Sequence, residues 1–215
     1  MGQSGKSVTL PRAAVLGALA LAACSGATAA SGDGGAGGAT SAQSTAMCST
    51  TAAWFTACNL FPPACASAIV DGCASFTHAL SPAYVAAVAA CPSSEPCVAA
   101  TDCIEGATSS LTPSSAQDSV AQEYCAACGD ASQSAAQCAQ TFFFTAPPGS
   151  SAPGVGVLEV GDSVASAVHS ACAGSSSCAT FTSCLQNQLS LASPLPAAVC
   201  VPTVSATMGD GGGGS

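Results

Sequence analysis

Fourteen cysteines fall between residues 48 and 200, and two stretches repeat one spacing. "ACPSSEPCVAATDCI" (90–104) and "ACAGSSSCATFTSCL" (171–185) both read Ala-Cys-x5-Cys-x5-Cys followed by an aliphatic residue, with Ser94 matching Ser175 and Thr101 matching Thr182. This cysteine rhythm constrains the fold because the rest of the chain offers little to bury. From residue 24 onward there are 8 Leu, 2 Ile, 13 Val and 7 Phe, together 30 of 192 residues. That share is under the roughly 20% below which disorder becomes the expectation. Cross-links can compensate, since one disulfide closing a loop of about 15 residues contributes around 3 kcal/mol in the chain-entropy picture. The expectation is a folded domain held by bridges.

The repeat divides the chain. A helical pattern precedes each copy, "SPAYVAAVAAC" and "GDSVASAVHSAC", and two related halves follow, 47–108 and 109–202, the second carrying an insert near 145–160. Farther out, Cys65 and Cys73 are aligned with Cys128 and Cys138. Trp54, Cys58 and Phe61 recur at helical spacing over 51–61, and Pro62-Pro63 stops the run. A helix is expected over 64–78, weakened by Gly72. Ser81-Pro82 starts a helix running to Cys91, Thr112-Pro113 repeats that signal, Gly129 ends its helix, and Asp130 caps a run to Phe144. Helices over 97–108 and 178–191 close the halves. Only "VGVLEV" (155–160) alternates like a strand. The fold class is all-α: disulfide-stapled helical hairpins in two related halves.

The candidate bridge-forming residues are Cys48, Cys58, Cys65, Cys73, Cys91, Cys97, Cys103, Cys125, Cys128, Cys138, Cys172, Cys178, Cys184 and Cys200. Cys97 and Cys103 are about 600° apart on a helix, 240° net, so they face different partners. Cys125 and Cys128 face one way and can both reach a neighbouring helix. The simplest local scheme closes each first repeat cysteine onto the second across the five-residue loop and ties the third back to an earlier helix. Fourteen cysteines allow roughly 135,000 pairings, so the sequence alone leaves the scheme open.

Lys6 and Arg12 are the only basic residues besides two histidines. They precede "AAVLGALALAA" (13–23), an apolar stretch too short to span a bilayer as a helix. "Leu21-Ala22-Ala23-Cys24" follows and resembles the lipobox of bacterial lipoproteins. The resemblance implies removal of a signal peptide, residues 1–23, and acylation of Cys24. Removing Cys24 from fifteen cysteines leaves an even fourteen, as a fully paired set in an oxidising compartment requires. Residues 24–46 read as the lipidated cysteine and a flexible Gly/Ala/Ser tether, and 203–215 as a disordered Gly-rich tail. Ser25, where an Asp would favour inner-membrane retention in that family, points to the outer membrane. Signal, tether and cysteine rhythm together resemble cysteine-rich lipoproteins predicted from myxobacterial sequences, a likeness that carries no activity to any residue.

Without residues 1–23 the chain has no Lys or Arg against 11 acidic residues, a formal charge of 0 − 11 = −11. It cannot neutralise phosphates, which excludes nucleic acid as a partner. It also has no lysine for Schiff-base chemistry. No Gly-x-Ser-x-Gly, P-loop, HExxH or EF-hand loop is present. "CAAC" (125–128) has redox spacing but ends a helix, where the dipole opposes thiolate formation, and Gly129 replaces the His of a haem-attachment motif. Cys73 with His78, or Cys172 with His169, has metal-ligand spacing, which pairing of the thiols would abolish. The carboxylates are scattered and read as solvated surface charge. Trp54, Phe55 and Phe61 read as core. Phe142, Phe143 and Phe144 cannot all face one core and form the candidate partner-binding patch.

These readings converge on a non-enzymatic lipoprotein of the cell envelope, anchored to the outer membrane. Its acidic domain would serve interaction or structure, with no cofactor and with an unidentified protein as partner. The rival is an extracytoplasmic thiol-redox or metal-binding protein.

Overall fold

The computed structural model describes residues 39–92, 96–145, 152–193 and 195–201. The expected signal peptide, Cys24, the tether up to residue 38, the central residues of the insert and the Gly-rich tail lie outside the described residues. Within them the chain forms ten helices and no strand, an all-α fold stapled by disulfides.

The first half begins with α1, Ser41–Cys58. Thr40 accepts a hydrogen bond from the Gln43 N–H, and the Gln43 side chain accepts one from the Thr40 N–H, a reciprocal cap. This cap starts the helix inside the expected tether, so residues 41–46 are helical. Asn59, at φ 50°, ends it in the left-handed region, where its short polar side chain is tolerated better than most. The helix expected over 64–78 is two, α2 (Pro63–Asp71) and α3 (Cys73–His78), broken at Gly72. Then come α4, Pro82–Ala89, capped by Ser81 with Pro82 at its first position, and α5, Cys97–Ser109.

The second half holds α6 (Ser115–Cys128), α7 (Ala135–Phe144), α8 (Val155–Glu159), α9 (Asp162–Cys172) and α10 (Cys178–Leu191). Its caps fall later than expected. Ser114, not Thr112, caps α6, and Ser134, not Asp130, caps α7, each with a Gln three residues on completing the box. Asp130 instead accepts from the Ser132 N–H at 2.8 Å and shapes the turn between them. The alternating run 155–160 is a short helix rather than a strand. Val157 and Leu158 are both buried; consecutive residues share a side on a helix but take opposite faces of a strand.

Each half packs its own core around one central helix. α1 lies against α2, α3, α4 and α5, and α6 against α7, α9 and α10. Phe55, Ile69, Val85, Val88 and Ile104 fill the first core; Val120, Phe142, Phe143, Phe181 and Leu185 fill the second. Leu111 packs against both.

All fourteen cysteines from Cys48 to Cys200 are paired, and the pairing repeats. Cys91–Cys103 and Cys172–Cys184 are equivalent, with Cα atoms 5.9 and 5.7 Å apart. Cys58–Cys97 matches Cys128–Cys178, at 4.9 and 4.5 Å. Cys48–Cys73 matches Cys125–Cys138, at 5.8 and 5.9 Å. The local scheme expected from the spacing is therefore wrong: the first repeat cysteine pairs with the third, and the second ties back to the earlier helix. Helix rotation explains it. The second cysteine is the first residue of α5 or α10, while the third, 240° round and farther along, faces the end of α4 or α9. The outer alignment also changes. Cys73 and Cys138 do correspond, but Cys128 answers to Cys58, not to Cys65. Cys48 and Cys58 are ten residues apart, about 280° net, and Cys125 and Cys128 three apart, about 300°. The bridge positions thus share a helix face, with about two turns fewer between them in α6.

Cys65–Cys200 has no counterpart. It returns the segment after α10 to the first half, where Leu195, Val199 and Cys200 pack on the first core. The second half therefore ends before residue 202 as a packing unit. The halves also meet at a short backbone seam. Leu80 and Val160 form a single antiparallel bridge, the Ser81 N–H donates to the Glu159 carbonyl at 2.8 Å, and the Gly161 N–H donates to the Ala79 carbonyl at 3.0 Å.

Candidate functional site

The three consecutive phenylalanines do not form a surface patch. Phe142 and Phe143 are fully buried, and Phe144 is half-buried against the same core. Phe142 lies 4.6 Å, centroid to centroid, from Tyr124 and 4.9 Å from Phe143. The core accommodates both rings because α8 folds over α7: the Gly154 N–H donates to the Phe142 carbonyl, and a Cβ at Gly154 would run into the Phe142 ring. Trp54, Phe55 and Phe61 are core, as their spacing indicated.

The fourteen cysteines among the described residues are all in disulfides and carry no free thiol. Cys125 and Cys128 of the CxxC motif bond to different partners, Cys138 and Cys178, not to each other. Cys73 and Cys172, the cysteines at metal-ligand spacing from His78 and His169, are bridged to Cys48 and Cys184. His169 instead lies 3.5 Å from Glu123 on α6. No cluster of metal-binding side chains occurs among the described residues.

Two depressions stand out among the described residues. A broad open groove of about 640 Å³ runs between α1 and α2, walled by Ala52, Ala53, Ala57, Ala66 and Val70. Small apolar side chains make up most of it, with Thr56, Ser67 and Asp71 as the polar members of the lining. The second lies at the junction of the halves. It is a cavity of about 50 Å³ lined by Thr51, Trp54, Phe55 and Phe76 with Tyr84 and Glu159. α1 supplies Thr51 and two aromatic rings, α3 and α4 supply Phe76 and Tyr84, and α8 reaches across from the other half with Glu159.

Thr51, Tyr84 and Glu159 bring side-chain oxygens to this lining, while the Trp54 indole is already committed, its Nε1–H donating to Thr101 Oγ1 at 2.9 Å. The Thr51 hydroxyl, the Tyr84 hydroxyl and the Glu159 carboxyl make no hydrogen bond or ion pair with other side chains or backbone among the described residues. Thr51 is 6% exposed and Tyr84 9%. Glu159 keeps part of its surface in contact with solvent, while the groups packed around its carboxyl strip most of the water from it. That desolvation pushes the carboxyl up to about 7. Burial, and then the nearby Glu159 charge, holds the Tyr84 phenol well above its ordinary value, so it stays a neutral hydroxyl.

Sequence reasoning placed Glu159 among scattered surface carboxylates, in a run that alternates somewhat like a strand, and it singled out neither Thr51 nor Tyr84. The available signal was a lone acid inside "VGVLEV", an apolar run that must be buried wherever it lies. Trp54 and Phe55 were identified, but as core alone. Among the described residues no helix is long and apolar enough to cross a membrane. Compared with protein-family models, with curated proteins and with solved structures, the chain matches none.

Proposed function

We propose that this is a lipid-anchored protein of the bacterial cell envelope, held at the outer membrane through Cys24, whose folded part is a non-enzymatic, cross-linked domain for envelope structure or protein interaction. One observation carries the reading. Seven bridges consume every cysteine from Cys48 to Cys200, so Cys24 is the one of fifteen left outside the framework. It stands at the end of an apolar run, where the lipobox-like residues would direct acylation. A framework of this density belongs to an oxidising compartment. Acyl chains buried at about 0.8 kcal/mol per methylene give a lasting anchor once two or more are attached.

Fractionation of bacteria expressing the full chain tests the anchor. The protein is expected in the outer-membrane fraction, and Cys24→Ser is expected to move it to the soluble periplasmic or extracellular fraction. Continued membrane residence of the Cys24→Ser protein would overturn the reading.

A further inference from the structure

Glu159 is a largely desolvated acid that keeps some solvent contact, and no lysine or arginine accompanies it among the described residues. Lys6 and Arg12, the only Lys and Arg of the chain, lie outside the described residues. Neither His78 nor His169 lines the junction cavity, and His169 faces Glu123. A desolvated carboxylate without a partner is strongly disfavoured, so Glu159 must either hold a proton or take a counter-ion from solution. The walls of the cavity favour a particular counter-ion. Aromatic rings from Trp54, Phe55, Phe76 and Tyr84 surround it, and a ring face attracts a cation by about 0.5–2 kcal/mol depending on desolvation. The acceptors match as well. A primary ammonium group has three N–H donors and no acceptor, and the cavity presents three unpaired oxygen-bearing groups, on Thr51, Tyr84 and Glu159.

We infer that the junction cavity is a binding site for a small primary ammonium group, with Glu159 as its counter-ion and the Thr51 and Tyr84 hydroxyls as acceptors. Volume sets the size. The 50 Å³ available is far below the roughly 300–1,000 Å³ of a pocket for a drug-sized ligand. It is enough for about three or four water-sized groups, which suits an aminomethyl head and excludes a quaternary ammonium. Because the ammonium must displace the proton on Glu159, binding and deprotonation are coupled. The site also needs both halves, since Glu159 comes from α8 and the remaining walls largely from the first half. This inference is independent of the membrane anchor.

The test is a carboxyl-detected NMR titration of the oxidised protein in methylammonium chloride, against sodium chloride and tetramethylammonium chloride at matched ionic strength. Methylammonium is expected to lower the Glu159 midpoint by about half a unit or more, a threefold or larger preference for the ionised form. It should also shift the Trp54 indole resonance, and tetramethylammonium should do neither. Glu159→Gln, which keeps the neutral shape and hence the fold, is expected to abolish the indole shift. A Glu159 midpoint that is the same in methylammonium and sodium would refute the site. So would an equal fall in tetramethylammonium, which would mean screening alone.

Discussion

Glu159 sets the pH response of the fold. Its carboxyl titrates at about 7 in the folded protein, against about 4.3 in an unfolded chain. Between those values the folded state binds more protons than the unfolded state, so stability falls as pH rises through the window and levels off above it. A shift of that size in a fully buried group would correspond to about 4 kcal/mol, and the solvent contact that Glu159 retains reduces the expected loss to about 2 kcal/mol. Denaturant unfolding in amine-free buffer at steps from pH 4.5 to 8 should show this decline, and Glu159→Gln should flatten it. An equally steep decline in the Gln variant would place the responsible group elsewhere. Asp130 acts in the opposite sense and in a different range, because the Ser132 hydrogen bonds lower its pKa and its influence lies on the acid side of pH 4. The local sequence hints at the difference between these two acids but does not fix it. One follows a glycine in a polar turn and the other follows a leucine in an apolar run, but only the packing of α8 onto the first half removes water from Glu159.

At the level of elements, the helices were legible where one face carries apolar residues and a cap sits at the start, as in α4 and α10. Starts went astray at α6 and α7, where a Ser-x-x-Gln box outcompetes the Thr-Pro and Asp signals just upstream. α8 was unreadable as a helix because its five residues are too few for the helical period to appear. It exists because α6 holds it. The buried Gln117 accepts from the Ser114 N–H at 2.8 Å and donates through Nε2 to the carbonyls of Val157 and Val160, each at 2.9 Å. One side chain thus closes the start of α6 and the end of α8, satisfying carbonyls that a helix terminus leaves open. Gln117→Leu preserves most of the volume but strands those carbonyls, and a buried unsatisfied group costs about 1–3 kcal/mol. The expected loss is about 3 kcal/mol by denaturant unfolding, with amides of α8 exchanging hydrogen far faster than those of α4. Unchanged exchange in α8 would show that apolar packing alone keeps it folded.

For the whole molecule, the doubled x5 spacing pointed to two halves, yet the bridges within them could not be read from it. Spacing along the chain does not say which way a cysteine faces, and the rotation between Cys97 and Cys103 decides the pairing. The Cys65–Cys200 bridge was invisible for a different reason: it belongs to neither repeat and spans 135 residues. Its role is correspondingly global. Each half keeps three internal bridges and its own core, whereas this bridge fastens the final segment onto the first half, where Leu195 also forms a wall of the junction cavity. Closing so long a loop restricts the unfolded chain by about 4–5 kcal/mol in the entropy picture, less where other bridges already shorten the path. Cys65→Ser with Cys200→Ser, unfolded by denaturant under oxidising conditions, should therefore lose about 4 kcal/mol or somewhat less. The denaturant slope should rise at the same time, because an unfolded state released from its longest cross-link exposes more surface. The two effects separate the causes. A lower midpoint with an unchanged slope would locate the loss in the folded packing around Cys65, and an unchanged midpoint would mean that the seam at Leu80 and Val160 already holds the two halves together.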